Sequence, residues 1–356
     1  MRILITGVCG FVGATLARGL RDGRPDLEII GLDNLVRAGS ELNRTPLREL
    51  GVQVRHGDVR NPSDLDALPR CDWILDAAAN PSVLAGVDGK TSSRQLIEHN
   101  LSGTVNMLEL AKDWRSGLII LSTSRVYSLR ELAAIPVQVK GDRFVPDLKE
   151  KRLMGLSAQG VAEEFSTEPP LSLYGASKRA SELLALEYGA AFDLPVFINR
   201  CGVLAGAGQF GKIDQGIFSF WIHSYCHKRP LKYIGFGGEG YQVRDCLDAR
   251  DLLPLVHQQM QNPAKPAPRV LNVSGGVTRS ASLKQLSDWC AQRFGTTAID
   301  SEKAARVFDV PWMVLDSSEA KRVWGWQPQT PLERIWSGIA DHAKRNSRWL
   351  DMTVDA

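Results

Sequence analysis

A tyrosine and a lysine one helical turn apart could carry acid–base chemistry. In Tyr174-Gly175-Ala176-Ser177-Lys178, the spacing of four residues puts the phenol and the ammonium on one face of a helix. Tyrosine has an ordinary pKa of about 10, and a neighbouring cation favours its phenolate form. The hydroxyl run Ser122-Thr123-Ser124 ends a predicted buried strand, where it could line a ligand crevice or merely cap the next turn. The Tyr–Lys pair alone is equally compatible with a structural contact.

The glycine-rich turn near the N-terminus has the pattern of a dinucleotide site. The sequence Gly7-Val8-Cys9-Gly10-Phe11-Val12-Gly13 follows an apolar strand and precedes a helical pattern. Glycines allow a tight turn and close approach to a pyrophosphate, while the helix N-terminus supplies amide donors. Asp33 lies about 20 residues further on, where a carboxylate can bind a ribose diol. Because Asp33 would repel a 2′-phosphate, we predict NAD, although the nearby Arg37 leaves NADP open.

A parallel sheet is needed to bring these groups together. Short apolar runs alternate with helical patterns, which is typical of a doubly wound α/β fold of the Rossmann type. The glycine turn, the strand-end hydroxyls and the Tyr–Lys pair then follow one another in the order that a hydride-transfer site requires. We predict strands at residues 2–6, 28–32, 52–56, 73–77, 118–122 and 196–200, and helices at residues 11–21, 102–112 and 177–190.

The remaining segments indicate a second, smaller lobe. We predict an NAD-binding Rossmann domain at residues 1–201, completed by a return segment at 241–274. Residues 202–240 and 275–356 are then a mixed α/β substrate-binding lobe. The long, turn-rich stretch 129–173 is expected to be functional, since long loops in compact domains usually are. The aromatic residues of 217–225 are predicted to be core or subunit interface rather than a base-stacking platform.

Composition excludes several classes of protein. The chain has 43 basic and 40 acidic residues among 356, and this charge of +3 is too weak to indicate nucleic-acid binding. No apolar stretch approaches the length of a membrane span. Six scattered cysteines lack the spacing of a metal site, so we expect reduced thiols, no metal and a cytoplasmic protein.

Taken together, these motifs resemble the extended short-chain dehydrogenase/reductases, and within them the nucleotide-sugar epimerases and dehydratases. The resemblance extends over nearly the whole chain. The residues that carry it are Thr6 to Gly13, Asp33-Asn34-Leu35, His56-Gly57-Asp58-Val59, the run HNLSGTVNMLE that contains Asn100, Thr123 to Tyr127, Tyr174 to Lys178, Gln242 to Asp245, and Gly325-Trp326-Gln327-Pro328.

The resemblance implies specific roles. Thr123, three residues before Val126-Tyr127, would be the hydroxyl of a catalytic triad in which Tyr174 is the acid/base and Lys178 the ribose-binding partner. A homodimer or homotetramer would form through the helices predicted at 102–112 and 177–190. The implied cofactor-binding residues are Gly7, Gly10, Phe11, Val12, Gly13, Asp33, Asn34, Asp58, Val59, Ala78, Ala79, Asn100, Ser122, Tyr174 and Lys178.

The resemblance also bears on the reaction. Dehydratases of this group follow the triad hydroxyl with an Asp-Glu pair, but this chain has Ser124 and Arg125, which are not an acid/base pair at neutral pH. This favours epimerisation of a nucleotide-diphosphate sugar through a transient keto-sugar. The segment Asp214-Gln215-Gly216, among other features, resembles epimerases that act at C2 of CDP-linked deoxyhexoses. The alternatives are a 4-epimerase or a reductase of the same family, and a non-catalytic NAD-binding protein.

Six residues are predicted to bind the substrate. A guanidinium can hold phosphate oxygens bidentately, so we place Arg244 on the diphosphate; a salt bridge with Asp245 or Asp251 is the alternative. Asp214 and Gln215 are candidate sugar or base contacts, although they could simply begin a helix. The remaining three predicted contacts are Ser82, Ser124 and Arg125.

Overall fold

The computed structural model describes residues 1–89, 91–150, 153–212, 215–304 and 306–354. Asp214, one of the predicted substrate contacts, lies outside these ranges. In chain order the strands are β1 (Arg2–Thr6), β2 (Glu28–Asp33), β3 (Gln53–His56), β4 (Trp73–Asp76), β5 (Gly117–Thr123), β6 (Val137–Val139), β7 (Phe144–Pro146), β8 (Leu156–Ser157), β9 (Gly160–Val161), β10 (Val196–Cys201), β11 (Leu204–Ala205), β12 (Leu231–Ile234), β13 (Val243–Asp245), β14 (Leu247–Asp248), β15 (Val270–Val273), β16 (Ser280–Ser282), β17 (Ile299–Glu302) and β18 (Trp312–Met313).

The helices alternate with the strands of the N-terminal half and dominate the C-terminal part. They are α1 (Phe11–Gly23), α2 (Arg44–Glu49), α3 (Pro62–Asp66), α4 (Ser93–Ile97), α5 (Gly103–Trp114), α6 (Leu129–Ala133), α7 (Leu173–Phe192), α8 (Ile217–Cys226), α9 (Leu253–Gln261), α10 (Leu283–Phe294), α11 (Ser318–Trp324), α12 (Leu332–Arg345) and α13 (Asp351–Val354). Within the described ranges, no helix combines the length and the apolar character needed to span a membrane.

Seven strands form the central sheet in the order β15-β10-β5-β4-β1-β2-β3, and every neighbouring pair is parallel. The strand order reverses between β1 and β4, so a crevice opens there beyond the carboxyl ends of the strands. Thr6 at the end of β1 is paired with Leu32 and Asp76, and Thr123 at the end of β5 is paired with Cys201. The doubly wound parallel sheet predicted from the sequence is confirmed.

Both faces of the sheet are covered by helices, as the uninterrupted apolar runs of its strands require. One core layer packs α1, α9 and α11 against the sheet, with Leu16, Leu255 and Trp324 among its members. The other packs α5 and α7, with Met107 and Ala185, against the opposite face. The carboxyl ends of β1 and β4 carry the polar residues Thr6 and Asp76, whereas those of β10 and β15, Cys201 and Val273, belong to the first core layer.

A third core holds the C-terminal elements together. It packs α8, α10 and α12 through buried aromatic and aliphatic side chains, including Phe218, Trp221, Leu286, Trp336 and Ile339. The aromatic residues of 217–225 therefore lie in a core helix, as predicted.

The long stretch between β5 and α7 contains more regular structure than its sequence indicates. It forms α6 and two short antiparallel hairpins, β6–β7 and β8–β9. Val161 then exchanges backbone hydrogen bonds with Val314 and Asp316, both of 2.8 Å. Helix α7 begins at Leu173 rather than at the predicted residue 177, because the Ser172 hydroxyl caps it by accepting a hydrogen bond from the Gly175 amide at 3.0 Å. Tyr174 is therefore in the first turn of this helix.

Candidate active site

The turn between β1 and α1 has room for backbone only. Gly7 has a positive φ of 61°, and a Cβ there would lie 2.9 Å from the Ala78 Cα. A Cβ on Gly13 would lie 2.2 Å from the Gly7 carbonyl oxygen. The N-cap of α1 is Gly10, which provides no side-chain cap, so the first N–H groups of the helix are open to an external acceptor. The turn therefore fits a pyrophosphate group.

Replacing Gly13 with alanine is expected to lower NAD affinity by about tenfold or more. The new methyl group must displace the Gly7 carbonyl, and overpacking of this kind costs about 1–3 kcal/mol. Gly23→Ala is the matched control, because Gly23 ends the same helix and a Cβ there meets nothing within 4 Å. The bound NAD in both purified variants can be measured by chromatography after acid release. Wild-type NAD content in Gly13→Ala would contradict the assignment of this turn.

Asp33 is held at the crevice by backbone amides. Its two carboxylate oxygens accept hydrogen bonds from the Cys9 and Leu35 N–H groups, each at 2.8 Å. Burial raises the pKa of Asp33, and these hydrogen bonds oppose the increase. Arg37 points away, since its guanidinium donates to the Gln215 side chain at 2.8 Å and to the Phe210 carbonyl at 2.6 Å. This placement favours a ribose diol rather than a 2′-phosphate beside Asp33.

Asp58 lies next to this group. It accepts a hydrogen bond from the Asn34 amide at 2.9 Å and a bidentate pair from Arg60. The Arg60 guanidinium holds the pKa of Asp58 well below its usual range. Val59, which follows it, is buried against the second core layer. Asn34 and Asp58 are therefore joined by a hydrogen bond next to the buried Val59, and all three are among the cofactor contacts that the resemblance implies.

The loop after β4 is fixed by side chains from three elements. The Thr6 hydroxyl donates to Asp76 at 2.6 Å and accepts from the Ala77 and Ala78 amides, each at 3.1 Å. Asn100 is buried in a π-helical turn, Glu98–Ser102, between α4 and α5. Its side chain accepts from the Asn80 amide at 2.8 Å and donates to the Asn80 carbonyl and the Ser177 hydroxyl. Asn100 thereby ties the predicted Ala78-Ala79 wall to α7.

The three residues predicted as a triad lie together. Thr123 ends β5, Tyr174 lies in the first turn of α7, and Lys178 is one turn further on. Tyr174 and Lys178 are both buried, with exposed fractions of 8% and 2%. Burial raises the pKa of Tyr174, while a hydrogen bond with Thr123 and the positive charge of Arg125 lower it. The geometry thus supplies a phenol that can gain or lose a proton, backed by a buried cation.

A buried polar network behind the triad is not evident from the sequence. Glu182 on α7 and Arg200 on β10 form an ion pair of 2.8 Å, with side-chain exposures of 0% and 4%. The Ser122 hydroxyl donates to Glu182 at 2.5 Å. Arg200 also donates to the Tyr127 hydroxyl at 3.1 Å, which in turn donates to Asn272 at 2.7 Å. Ser122, a predicted cofactor contact, thus points its hydroxyl proton into this network.

A cavity of about 280 Å³ opens at Arg125, two residues after Thr123, and most of its other lining residues belong to the C-terminal half of the chain. Arg125 donates to the Phe308 carbonyl at 3.1 Å. Arg244 binds Asp309 and donates to the Val310 carbonyl at 2.9 Å. The lining residues are Val83, Leu84, Arg125, Val203, Gly216, Ile217, Phe218, Phe220, Trp221, Pro230, Leu231, Lys232, Ile234, Gln242, Arg244, Ala281, Leu283, Asp300, Arg306, Val307, Phe308 and Asp309.

The alternative partners considered for Arg244 are wrong. Asp245 instead accepts hydrogen bonds from the Val203 and Leu315 amides, each at 2.9 Å. Asp251 accepts from the backbone amide and the hydroxyl of Thr330, each also at 2.9 Å. Asp245 and Asp251 therefore each join distant segments of the chain. Neither pairs with Arg244, which lines the cavity.

The other predicted substrate contacts are distributed around the cavity. Ser82 and Ser124 are both buried, and each lies next in the chain to a lining residue. The Ser82 hydroxyl accepts a hydrogen bond from the Leu84 amide at 3.3 Å. Gln215 is turned toward Arg37, whereas Gly216, its neighbour, lines the cavity and precedes α8 with a positive φ of 64°. The cavity therefore unites Arg125 and Arg244, but the Gln215 side chain is engaged elsewhere.

Similar proteins share most of this chain. The NAD dependent epimerase/dehydratase family matches residues 3–274. CDP-paratose 2-epimerase from Salmonella typhi is 29% identical over 348 residues, which cover 92% of this chain and 95% of that protein. UDP-glucuronate 4-epimerase from Thermodesulfobacterium geofontis is 26% identical over 354 residues and covers 96% of both chains.

Solved structures share the fold at lower identity. UDP-glucuronic acid 4-epimerase from Bacillus cereus, solved in complex with UDP-glucuronic acid and NAD, has a TM-score of 0.76 and 22% identity, covering 97% of this chain and 99% of that one. The dTDP-glucose 4,6-dehydratase from Bacillus anthracis, in complex with NAD, has a TM-score of 0.76 and 21% identity, covering 99% of each chain.

These similarities agree with the strand order of the central sheet. The predicted Rossmann-type fold is confirmed by the solved neighbours. The predicted cofactor is confirmed by the family, whose members depend on NAD. Since the match spans well over half of its residues, this chain belongs to the NAD-dependent epimerase/dehydratase family of nucleotide-sugar enzymes.

Proposed function

We propose that the protein epimerises a nucleotide-diphosphate sugar at C2, most specifically a CDP-linked deoxyhexose. The observation that carries this proposal is the grouping of Thr123 with the buried Tyr174 and Lys178, in which Thr123 is followed by Ser124-Arg125, where a dehydratase would have an acidic pair. A cation beside the triad cannot protonate a leaving hydroxyl in the way that a carboxylic acid can. The 29% identity to CDP-paratose 2-epimerase supports the choice of C2 and of the CDP group.

The residues divide the chemistry between them. Tyr174 takes the proton from the sugar hydroxyl as the ring carbon is oxidised and returns it when that carbon is reduced. Thr123 orients the phenol through their hydrogen bond, and Lys178 favours the phenolate and binds the nicotinamide ribose. NAD bound in the crevice would supply the hydride acceptor, and then the hydride donor, for the sugar carbon. If the keto-sugar presents its other face in between, one stereocentre is inverted and no external reductant is needed.

The proposed cofactor contacts follow the geometry of the crevice. The β1–α1 turn would hold the pyrophosphate through Gly7, Gly10 and the amides of Phe11, Val12 and Gly13. Asp33 and Asn34 would bind the adenosine ribose, and Asp58 and Val59 would flank the adenine. Ala78, Ala79 and Ser122 would line the middle of the crevice, with Asn100 holding that wall in place.

On the substrate side, the cavity has an apolar wall and cationic groups. Arg244 would bind the diphosphate by exchanging its present partners, Asp309 and the Val310 carbonyl, for phosphate oxygens. Phe308 and the Val83-Leu84 edge give the cavity few hydrogen-bonding side chains near Arg125. This suits a sugar that lacks some of its hydroxyls.

The proposal is tested by proton NMR of the purified protein with CDP-tyvelose and no added cofactor. Conversion to the C2 epimer supports self-contained redox cycling at C2. UDP-glucuronic acid serves as the parallel substrate, since a 4-epimerase acting on it is 26% identical to this chain. Conversion of that compound instead, in protein that carries NAD, would replace C2 by C4 in the proposal. A requirement for stoichiometric NADPH would indicate a reductase.

We also propose a homodimer built on α5 and α7. Helix α7 exposes Leu183, Leu184 and Phe192, with exposed fractions of 49%, 36% and 47%. Sedimentation should give twice the chain mass of 39.2 kDa or a multiple of it. Leu184→Glu is expected to shift the protein to a monomer at micromolar concentration, whereas Val277→Glu, a similarly exposed site elsewhere, should not. A wild-type monomer would contradict the proposal.

The division of the chain and its location remain proposals as well. Residues 1–201 and 241–274 would form the NAD-binding domain, because β10 ends at Cys201 and β15 lies in the same sheet. Residues 202–240 and 275–356 would form the substrate-binding lobe. All six cysteines are unpaired, and five are buried, which suits a cytoplasmic protein.

A further inference from the structure

The cavity next to Arg125 is lined by three arginines, one lysine and two aspartates. Arg125 and Arg244 both line it, and Asp309 is bound by Arg244. The other charged lining residues are Arg306, which is partly buried, and Lys232 and Asp300, which are exposed. Arg125 uses one donor on the Phe308 carbonyl and makes no salt bridge within the described ranges. The positive charge of Arg125 is therefore not neutralised by a direct partner.

The backbone places this charge next to the acid/base. Arg125 lies in the short turn Ser124–Val126, directly after Thr123. Its carbonyl packs so closely on α7 that a Cβ on Gly175 would lie 2.2 Å from the oxygen. Val83 lines the cavity together with Arg125 and also packs against Tyr174. Tyr174 itself does not line the cavity; Val83 and the backbone contact with Gly175 are what place Arg125 beside the first turn of α7, which carries the phenol.

The positive charge of Arg125 affects the pKa of Tyr174. A buried phenolate is costly because burial disfavours the charged form, and that effect raises the pKa of Tyr174. The nearby positive charge of Arg125 opposes it. Burial and the charge of Arg244 lower the pKa of Arg125 itself to about 10, which still leaves it cationic at neutral pH. An acidic residue at position 125 would act in the opposite direction on the phenol.

We propose that Arg125 is a positioning residue for the acid–base step, in which its guanidinium stabilises the phenolate of Tyr174 alongside Lys178. Dehydratases of this group have an acidic residue where this chain has Arg125. The cation at this position thus has an effect beyond the absence of a proton donor. It makes the tyrosine a better base for taking up the hydroxyl proton of the sugar. The role in turnover rests on the proposed function, whereas the effect on the phenol does not.

The first test needs no substrate. The protein has six tyrosines, so a sample labelled with carbon-13 at tyrosine Cζ can be titrated by NMR as the NAD-loaded enzyme, with Tyr174→Phe to assign the resonance. Arg125→Gln is expected to raise the pKa of Tyr174 by about one unit, and Arg125→Lys should restore most of the shift. Arg143→Gln is the control, because Arg143 is a partly buried arginine that donates to Ser280 and is not among the residues that line the cavity. An unchanged Tyr174 titration in Arg125→Gln overturns the proposal.

The second test separates this role from phosphate binding. In Arg125→Gln the acidic limb of the kcat profile should move to higher pH by about one unit, so that kcat below it falls about tenfold. The KM for the nucleotide sugar should change less than in Arg244→Gln. A raised KM with an unmoved limb would make Arg125 a phosphate ligand and overturn the proposal. If the wild-type enzyme converts no tested nucleotide sugar, the proposed function fails, while the NMR titration still decides the role of Arg125.

Discussion

Replacing Tyr174 with phenylalanine is expected to lower kcat by about 10³-fold while NAD stays bound. The substitution removes only the hydroxyl oxygen, and that oxygen is the atom that exchanges a proton with the sugar in the proposed mechanism. Positioned acid–base groups contribute about 10²- to 10⁴-fold to a rate. The ring itself stays in place because Tyr174 packs with Ala85 and Leu96 in a small core cluster. The measurement is turnover of the nucleotide sugar that the wild-type enzyme converts, together with the NAD content of the purified protein.

Tyr188→Phe provides the matched control for this variant. Tyr188 lies on the same helix, and its hydroxyl donates to Glu109 on α5 near the surface. Loss of that hydrogen bond should leave both kcat and NAD content near the wild-type values. If Tyr174→Phe retained more than about a tenth of the wild-type kcat, the phenol could not be the acid/base, and Lys178 or Thr123 would have to move the proton. If Tyr174→Phe lost NAD, its effect on turnover would have to be assigned to binding.

Local spacing explains why the cofactor half of the site could be predicted. The requirement for glycine arises within one turn, where Gly13 approaches the Gly7 carbonyl, and Asp33 follows at the end of the next strand. Most strands of the central sheet could be predicted because they are apolar runs buried on both faces, whereas the edge strand β3 is largely exposed. The Tyr174–Lys178 pair depends only on helical periodicity. All of these signals involve residues that are close together in the chain.

The substrate half depends on contacts between distant segments. Arg244 and Asp309 are 65 positions apart in the chain, and their salt bridge depends on how the segment before β18 folds over the cavity. The short hairpins β6–β7 and β8–β9 are too brief to produce a recognisable alternation. The start of α7 was predicted too late because Gly175 is a weak helix former, although Ser172 was a readable capping signal. The reactive residues are therefore easier to predict from the sequence than the substrate that they bind.

Breaking the Glu182–Arg200 ion pair is expected to cause the largest loss of stability. Replacing Glu182 with glutamine should lower the free energy of unfolding by about 3–5 kcal/mol, because Arg200 would remain buried with an uncompensated charge. Urea denaturation followed by intrinsic fluorescence measures this change. Glu319→Gln is the control: its partner Arg322 has 68% of its side chain exposed, and exposed pairs contribute about 0–1 kcal/mol.

The same variant tests how the triad is supported. Glu182 accepts a hydrogen bond from the hydroxyl of Ser122, the residue before Thr123. Arg200 donates a hydrogen bond to the hydroxyl of Tyr127, which lies three residues after Ser124. The double variant Glu182→Leu/Arg200→Met should recover part of the stability, since well-packed apolar residues can replace a buried ion pair. It would not restore the hydrogen bonds to Ser122 and Tyr127, so kcat should remain below that of the wild type. A Glu182→Gln variant whose free energy of unfolding lies within about 1 kcal/mol of the wild-type value would mean that the Arg200 charge is compensated without Glu182. The network would then not explain how Ser122 and Tyr127 are held in place.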